Sequence, residues 1–400
     1  MASAEVEERR RKVLFVYPSC SHGGRTMQLY YLCSGLIRRG WEVHLLTIVT
    51  PGPTEKSFRE FGVNTHSYIR RGKFDRGQAR AIRSAAAEHD VKLINAWGYT
   101  TGIWAVLAFP ASSKPEVAVT VNLGGIELGR SFFYRMLDRA AAKNYKAVFS
   151  NSYNCSDYAA RWYGVDKSVC FTVPNGFDFS AVENLPPRND LLNLRTELGI
   201  PENAIVVIQA ARIDPLKNQH DMLRAADKLA KNRGDVYFVL IGSAKSGREK
   251  KYLGVLAADL KRSNARNNFI IAGHKTNPLE YLAVSDIFLQ TSRTEGLSNA
   301  LIEAMACGLP VVATDVGDTA RAVADGETGF LVKTGDVDSM VARILKLAEN
   351  ADLRKKLGAA GRELVRSKYT IENLVELHER EFIRLLDELP RKETGGILKK

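Results

Sequence analysis

Short β-branched runs alternate along this chain with longer amphipathic stretches, and that alternation constrains the fold more than any other feature. Such runs bury both faces when they line up as a parallel sheet covered by helices. In the first half the strand candidates are KVLFVYP from Lys12, EVHLLTIV from Glu42, VKLIN from Val91, EVAVTV from Glu116 and AVFSN from Ala147. Helical segments lie between them, for instance Thr26 to Arg39 and Asp75 to Glu88. A second series runs through AIVVIQAAR from Ala204, VYFVLIGS from Val236, NFIIAGH from Asn268, IFLQTS from Ile287 and VVATDV from Val311. Between the series, Val182 to Ile200 contains ENLPPRND, whose paired prolines and polar residues read as a linker. The expectation is two doubly wound α/β domains, residues 1–181 and 201–369, facing one another. Ligands of such sheets sit outside the carboxyl ends of the strands, which puts the expected site in the cleft between domains. The tail from Tyr369 to Leu389 has helical periodicity with Thr370 as N-cap, and Pro390 and a Lys-rich end close residues 370–400.

Composition narrows the class. The 400 residues are 45% hydrophobic and 26% charged, which excludes a disordered, collagen-like or disulfide-scaffold chain. No apolar run approaches the roughly 18–20 residues that span a bilayer. The opening MASAEVEERRRK is charged and lacks the apolar stretch of a secretory signal. Cys20, Cys33, Cys155, Cys170 and Cys307 are widely spaced with no Cys-x-x-Cys, so neither a disulfide framework nor a zinc site follows, and a cytoplasmic location is expected. The net charge is +12, and residues 1–180 carry 24 bases against 15 acids, a net +9. That excess fits an anionic partner on the first half, or an ordinary basic surface with none.

The most informative stretch is TSRTEGLSNALIEAMACGLPVVATDVG, Thr291 to Gly317. A strand ends near Ser292, a loop holds Glu295 and Gly296, and a helix begins near Ser298 and stops at Gly308–Leu309–Pro310. Amides of Gly296, Leu297, Ser298 and Asn299 at a helix start make a site for an anion. Glu303 follows Glu295 by eight residues. A carboxylate suits paired sugar hydroxyls because it accepts two hydrogen bonds. Taken singly, Glu295 also reads as an acid favoured by the helix dipole and Glu303 as a solvated residue.

As a whole this stretch resembles the Glu-(seven residues)-Glu motif of the family 4 retaining glycosyltransferases, and the resemblance runs from Lys12 to about Leu389. It implies the GT-B fold, two Rossmann-like domains across a cleft with the C-terminal helix crossing back to the first. In that family the first Glu contacts donor-sugar hydroxyls and the second holds the ribose, roles that fall on Glu295 and Glu303. Backbone around Gly296, Leu297 and Ser298 would meet sugar and phosphate, with Leu301 beside the ribose and phosphates. AARIDPLKNQH is similar to the segment carrying the family's Arg…Lys pair, so Arg212 and Lys217 would clamp the diphosphate and offset charge on the leaving group. SCSHGGRT resembles the family's glycine-rich loop, where Gly23 and Gly24 would let amides approach phosphate and acceptor; Arg25 supplies charge to the site or only faces solvent. FTVPNGFD resembles a motif at the end of the first domain, where Asn175 and Gly176 make a turn. IIAGHK matches the loop that receives the base, with His274 there for loop shape rather than proton transfer.

One position departs. After the strand VAVTVNLGG the family often carries a histidine that contacts the donor sugar; this chain has Asn122, which hydrogen-bonds but cannot carry positive charge. The reaction implied is transfer of a sugar from a nucleotide-sugar donor, UDP-linked before GDP-linked, to a glycan, glycolipid or lipid-linked acceptor with retention of configuration. No metal and no cofactor is expected, since Asp336–Val337–Asp338 reads as a helix cap. A GT-B nucleotide-sugar 2-epimerase is the alternative. Nucleic-acid binding is not expected, because the basic stretches lack stacking-aromatic motifs. RSFFYRMLDRAAAKNYK places Arg135, Arg139 and Lys143 on a helix stripe beside Phe132, Phe133 and Met136, and Arg70 to Arg83 adds six bases. These stretches read as a peripheral surface for an anionic membrane, or as buried aromatics with solvated bases.

Overall fold

In the computed structural model, which describes residues 11–21, 23–72, 74–110, 116–125 and 130–390, the β-branched runs become strands of two all-parallel sheets. Among the described residues the first sheet has seven strands: β1 Lys12–Ser19, β2 Glu42–Thr50, β3 Asn64–Ser67, β4 Leu93–Trp97, β5 Ala118–Leu123, β6 Ala147–Ser150 and β7 Cys170–Thr172. Their spatial order is β3-β2-β1-β4-β5-β6-β7. The second has six: β8 Ile205–Ala210, β9 Val236–Ile241, β10 Phe269–Gly273, β11 Ile287–Gln290, β12 Val311–Thr314 and β13 Gly329–Val332, in the order β10-β9-β8-β11-β12-β13. This is the doubly wound α/β arrangement that the alternating pattern predicts.

The helices that matter to the sites are α1 Gly24–Arg38, α2 Gly77–Glu88, α3 Tyr99–Ala108, α4 Phe132–Ala142 and α5 Tyr153–Tyr163 beside the first sheet. Beside the second are α6 Gln219–Ala230, α7 Gly247–Arg262, α8 Asn299–Ala306, α9 Val337–Ala348 and α10 Ala351–Lys368, and the chain continues into α11 Ile371–Asp387. Each sheet is buried on both faces. Along β1, Val13, Phe15 and Tyr17 enter one apolar core with Leu29 and Phe149, while Leu14 and Val16 enter another with Ile82 and Trp104. The same alternation splits Val206 and Ile208 from Val207 in β8.

The chain divides into two compact units, one built of residues up to Gly176 with those from Ile371, the other of Phe177–Thr370. The last helix therefore belongs to the first unit. It packs on α1 where Gly35 has no side chain, since a Cβ there would meet Val375 Cγ2 at 2.2 Å. Trp41 Nε1 donates to Glu379 at 2.8 Å, and Phe382 packs tilted against Phe15 and Trp41 and edge-on to Phe149. Residues 182–200, which read in sequence as a linker, carry the short helices Ser180–Glu183 and Asn193–Glu197 and give Leu191, Leu194 and Ile200 to the second unit's core. Buried Arg195 ties them there, donating to Asp286 at 2.7 Å and to the carbonyls of Val284 and Ala204.

Three strands were not legible in the sequence. β3 is polar (NTHS) and edges its sheet, β7 has three half-buried residues, and β13, though mostly buried, is only four residues long. Caps follow local chemistry: Ser131, Ser152 and Ser246 cap α4, α5 and α7, and Asp336 caps α9 by accepting from Ser339 N at 3.0 Å. No described helix is long and apolar enough to cross a membrane. His22 of the glycine loop, Lys73 of the basic run and the Lys-rich end lie outside the described residues.

Candidate active site

In the second sheet the strand order reverses between β8 and β11, so the loops leaving these two strands flank a crevice at the carboxyl edge. The loop after β8 carries Arg212 and Lys217; the loop after β11 carries Glu295 and Gly296. Backbone and side chains lock the two loops together. Arg293 N donates to Leu216 O at 2.8 Å, and Thr291 Oγ1 donates to Lys217 O at 2.8 Å. The Lys217 ammonium meets Glu295 Oε1 at 2.5 Å, and Ser292 Oγ donates to the same oxygen at 2.6 Å. Glu295 is thus held by a cation and a hydroxyl, with its side chain only 10% exposed.

The loop after β12 sets the height of this one. Gly317 has φ +59°, and a Cβ there would meet Glu295 O at 2.1 Å, so only glycine lets the two backbones approach. Asp318 N then donates to Gly296 O at 3.0 Å. Ser298 caps α8 by accepting from Leu301 N at 3.4 Å. Leu297 and Leu301 are buried, Leu301 fully, so their side chains anchor the helix start in the core and leave the loop backbone to face a ligand.

Arg212 is 57% exposed and reaches Glu249 Oε1 at 3.4 Å. Glu249 itself completes a capping box with Ser246, and bonds from the amides of Lys245 and Ser246 help hold its carboxyl below the usual range against the opposing effect of its burial. Glu303 is the fifth residue of α8, just past its first turn. Burial pushes its pKa up to about 7, and among the described residues no ion pair or hydrogen bond reaches its carboxylate. A half-buried acid without a partner is a group waiting for donors. His274 is exposed on the loop after β10.

The first unit repeats the arrangement between β1 and β4, where its own strand order reverses. Gly23 and Gly24 open α1 there, both exposed. The Arg25 guanidinium lies along the glycines after β4 and β5, 3.9 Å from a Cβ built on Gly98 and 4.0 Å from one on Gly125. Among the described residues no carboxylate pairs with it. Asn122, at the end of β5, is only 8% exposed, and its amide donates to His378 Nε2 at 3.2 Å. His378 sits on α11, gives its Nδ1 proton to Leu374 O at 2.9 Å, and is driven down to about 4 by burial. Gln28 exchanges two hydrogen bonds with Gly176, so the Asn175–Gly176 turn is pinned to α1.

The structure therefore brings Lys217, Glu295, Gly296 and Ser298 together on one edge, with Arg212 alongside, and Gly23, Gly24 and Asn122 together on the other sheet's edge. Sequence reasoning missed Ser292, Glu249 and His378. Each acts by holding a predicted residue, and only a three-dimensional contact reveals such a partner.

Comparison with known proteins bears on both units. Residues 22–181 match the family model described as Glycosyltransferase Family 4, and residues 192–364 match the one described as Glycosyl transferases group 1. The chain is 25% identical over 372 residues to an N-acetyl-alpha-D-glucosaminyl L-malate synthase of Bacillus anthracis, covering 91% of this chain and 94% of that protein. It is 29% identical over 211 residues to a GDP-mannose-dependent monoacylated alpha-(1-6)-phosphatidylinositol monomannoside mannosyltransferase of Corynebacterium glutamicum, a match spanning 51% of this chain and 53% of that one. Among solved structures, HepE of Anabaena in complex with UDP superposes with a TM-score of 0.81 at 21% identity, covering 93% of this chain and 100% of that one.

Proposed function

We propose, from the premise that this chain belongs to the family 4 glycosyltransferases and has their GT-B fold, that it transfers a hexose from a UDP-sugar to a glycan, glycolipid or lipid-linked acceptor. The observation that carries the reading is the Lys217–Glu295–Ser292 cluster at the β8–β11 reversal, next to the start of α8. An ammonium has three protons to give, so Lys217 can keep Glu295 and still meet a phosphate oxygen. Arg212, 57% exposed and only 3.4 Å from one Glu249 oxygen, adds a second cation as charge builds on the leaving diphosphate. The amides of Gly296 and Ser298 and the dipole of α8 favour the same charge. Glu295, oriented by Ser292, accepts from the sugar hydroxyls; Glu303 accepts from the ribose. The UDP complex of HepE supports uridine as the base, while the GDP-mannose-dependent relative supplies the donor to test against it.

Retention and metal independence belong to the same proposal. The carboxylate nearest the reacting sugar is already bonded to Lys217 and Ser292, which dulls it as a nucleophile and suits a mechanism in which departing phosphate helps deprotonate the acceptor. In this reading the two side-chain cations supply the charge that a metal would otherwise bring to the diphosphate, and Asp336 of the Asp-x-Asp pair caps α9. The epimerase alternative has no relative among those named above to support it. On the acceptor side, Phe132, Phe133 and Met136 of α4 are 75, 54 and 55% exposed, with Phe74 packed on Phe133 and exposed Arg139 and Lys143 beside them. We assign this face to an anionic membrane that presents the acceptor.

The test is a panel of UDP- and GDP-sugars incubated with EDTA and with lipid and saccharide acceptors. Transfer from a UDP-sugar to an acceptor with the anomeric proton coupling of the donor preserved is expected. A change of sugar stereochemistry without transfer, inversion, or abolition of turnover by EDTA would each overturn a stated part.

A further inference from the structure

The first unit holds three histidines that the reaction does not use. His44 lies on β2, His66 on the adjacent edge strand β3, and His89 follows α2 just ahead of β4. His44 and His89 lie toward the amino ends of β2 and β4, and His66 on short β3 reaches back to them, whereas Gly23, Gly24 and Asn122 lie at the carboxyl edge. One ligand atom from each ring lies within 4.8 Å of the others, and among the described residues this is the one group of His, Cys and carboxylate side chains so arranged. His44 Nδ1 is 3.2 Å from His66 Nε2. Two imidazoles bound tetrahedrally at about 2.0–2.1 Å to one zinc ion hold their nitrogens roughly 3.4 Å apart, close to what is seen.

Two further observations favour a ligand over a chain of hydrogen-bonded imidazoles. His44 Nε2 bonds Glu42 Oε1 at 2.8 Å, and Glu42 is itself held by Lys12 at 2.8 Å. A carboxylate on one ring nitrogen fixes the tautomer and turns the other nitrogen's lone pair inward, the arrangement that supports a metal-bound histidine. His89 Nε2 is buried without any hydrogen-bond partner, its nearest acid being Glu88 at 3.9 Å. The His89 ring lies 4.2 Å from that of His44, stacked on it, and 5.1 Å from that of His66, tilted to it, ring centre to ring centre, and its buried Nε2 lacks only something to bind.

We propose that His44, His66 and His89 form a binding site for a divalent transition-metal ion of the zinc class, oriented by Glu42, that clasps β2, β3 and the α2–β4 connection. Imidazole ligands select zinc, copper, nickel or cobalt over magnesium and calcium. Water would complete the shell. The ion is structural, remote from the reaction, and the inference is independent of the proposed donor and acceptor.

The experiment uses the full chain, free of any affinity tag that contains histidine and stripped with chelator. Titration with Co²⁺ should give the visible bands of a tetrahedral site saturating at one ion per chain, and Zn²⁺ should displace them. X-ray absorption of the zinc form should count three imidazoles. H66Q/H89Q should weaken binding at least tenfold and abolish the rise in melting temperature that zinc gives the parent. E42Q should weaken it about tenfold, the usual range for an outer carboxylate. H220Q, in the second unit, should change nothing. Absence of a tetrahedral spectrum, fewer than three imidazoles, or undiminished binding by a natively folded H66Q/H89Q overturns the proposal. Should that variant fail to fold, the spectrum and ligand count of the parent decide alone.

Discussion

Glu303 offers the sharpest trial of the site, because its proposed task conflicts with its surroundings. Its folded pKa of about 7 compares with 4.5 for a free glutamate. Each pH unit of that gap is worth about 1.4 kcal/mol, so ionising Glu303 inside the protein costs about 3 kcal/mol at pH 8. The sign is that of a raised acid. Between pH 4.5 and 7 the folded state holds a proton the unfolded state has released, so this group's contribution to stability falls as pH rises and is wholly lost above 7. Glu303→Gln removes the charge and should stabilise the ligand-free protein by about 3 kcal/mol at pH 8, about 1 at pH 5 and almost nothing at pH 4. For a unit of this size that is a rise of roughly 6–12 °C in melting temperature at pH 8. The same change should weaken UDP about 10–100-fold at pH 8, since a charge-assisted bond to the ribose is lost. Calorimetry across pH 4–8.5, with and without UDP, reads both effects. In the parent at pH 6.5, binding of UDP should release protons, measured as a dependence of the heat on buffer ionisation enthalpy. A stability gain that does not vary with pH, or UDP affinity left intact, would refute the assignment of a desolvated, ribose-holding carboxylate.

Three other substitutions test neighbouring parts. Lys217→Met should lower kcat about 10²–10³-fold, as losing one fixed donor to a developing charge does, and should destabilise the protein by about 1–3 kcal/mol because Glu295 loses its partner; unchanged kcat would dismiss the diphosphate clamp. Gly317→Ala forces a side chain against Glu295 O and into a left-handed backbone conformation, so donor binding should fall at least tenfold with little loss of the folded state's helix content; a normal donor KM would show that loop height is immaterial. Below pH 6.5 the first unit should weaken. His378 is held down to about 4, so the unfolded chain binds the extra proton and about 3 kcal/mol is lost between pH 6.5 and 4. His378→Leu should flatten that acid limb, read by hydrogen exchange of the amides of β5 and α11.

Much of this was legible before any coordinates, and for a definable reason. A strand buried on both faces must be apolar almost throughout, so β1, β2, β8 and β9 announce themselves. The edge strand β3, polar because one side faces water, does not. Gly296 and the cap at Ser298 were readable because turns and helix starts restrict residue types locally. What stayed hidden was pairwise. No spacing in the chain says that Glu249 reaches Arg212 across 37 residues, or that His378 reaches Asn122 across 256. The stretch 182–200 misled because paired prolines mark a break in regular structure, and such a break can pack as tightly as a helix. Its leucines reach the core through short turns that leave no periodicity to detect.

The His378–Asn122 bond also reframes the one departure from the family pattern. A histidine at position 122 would offer the donor sugar a ring that can take up a proton; the amide here gives its hydrogen to an imidazole that burial keeps neutral. Under the proposed function, charge at the donor is then the task of Lys217, Arg212 and the start of α8 in the second unit; in the first unit Arg25 lies along Gly98 and Gly124 with no acid beside it among the described residues. If the side-chain cations carry the electrostatic work, the alkaline side of the rate profile should stay flat to pH 9, and the acid side should be governed by Glu303 rather than by an imidazole. A rate that fell with an apparent pKa between 6 and 7 in Glu303→Gln as well as in the parent would place a titrating base back in the site and contradict the reading of Asn122.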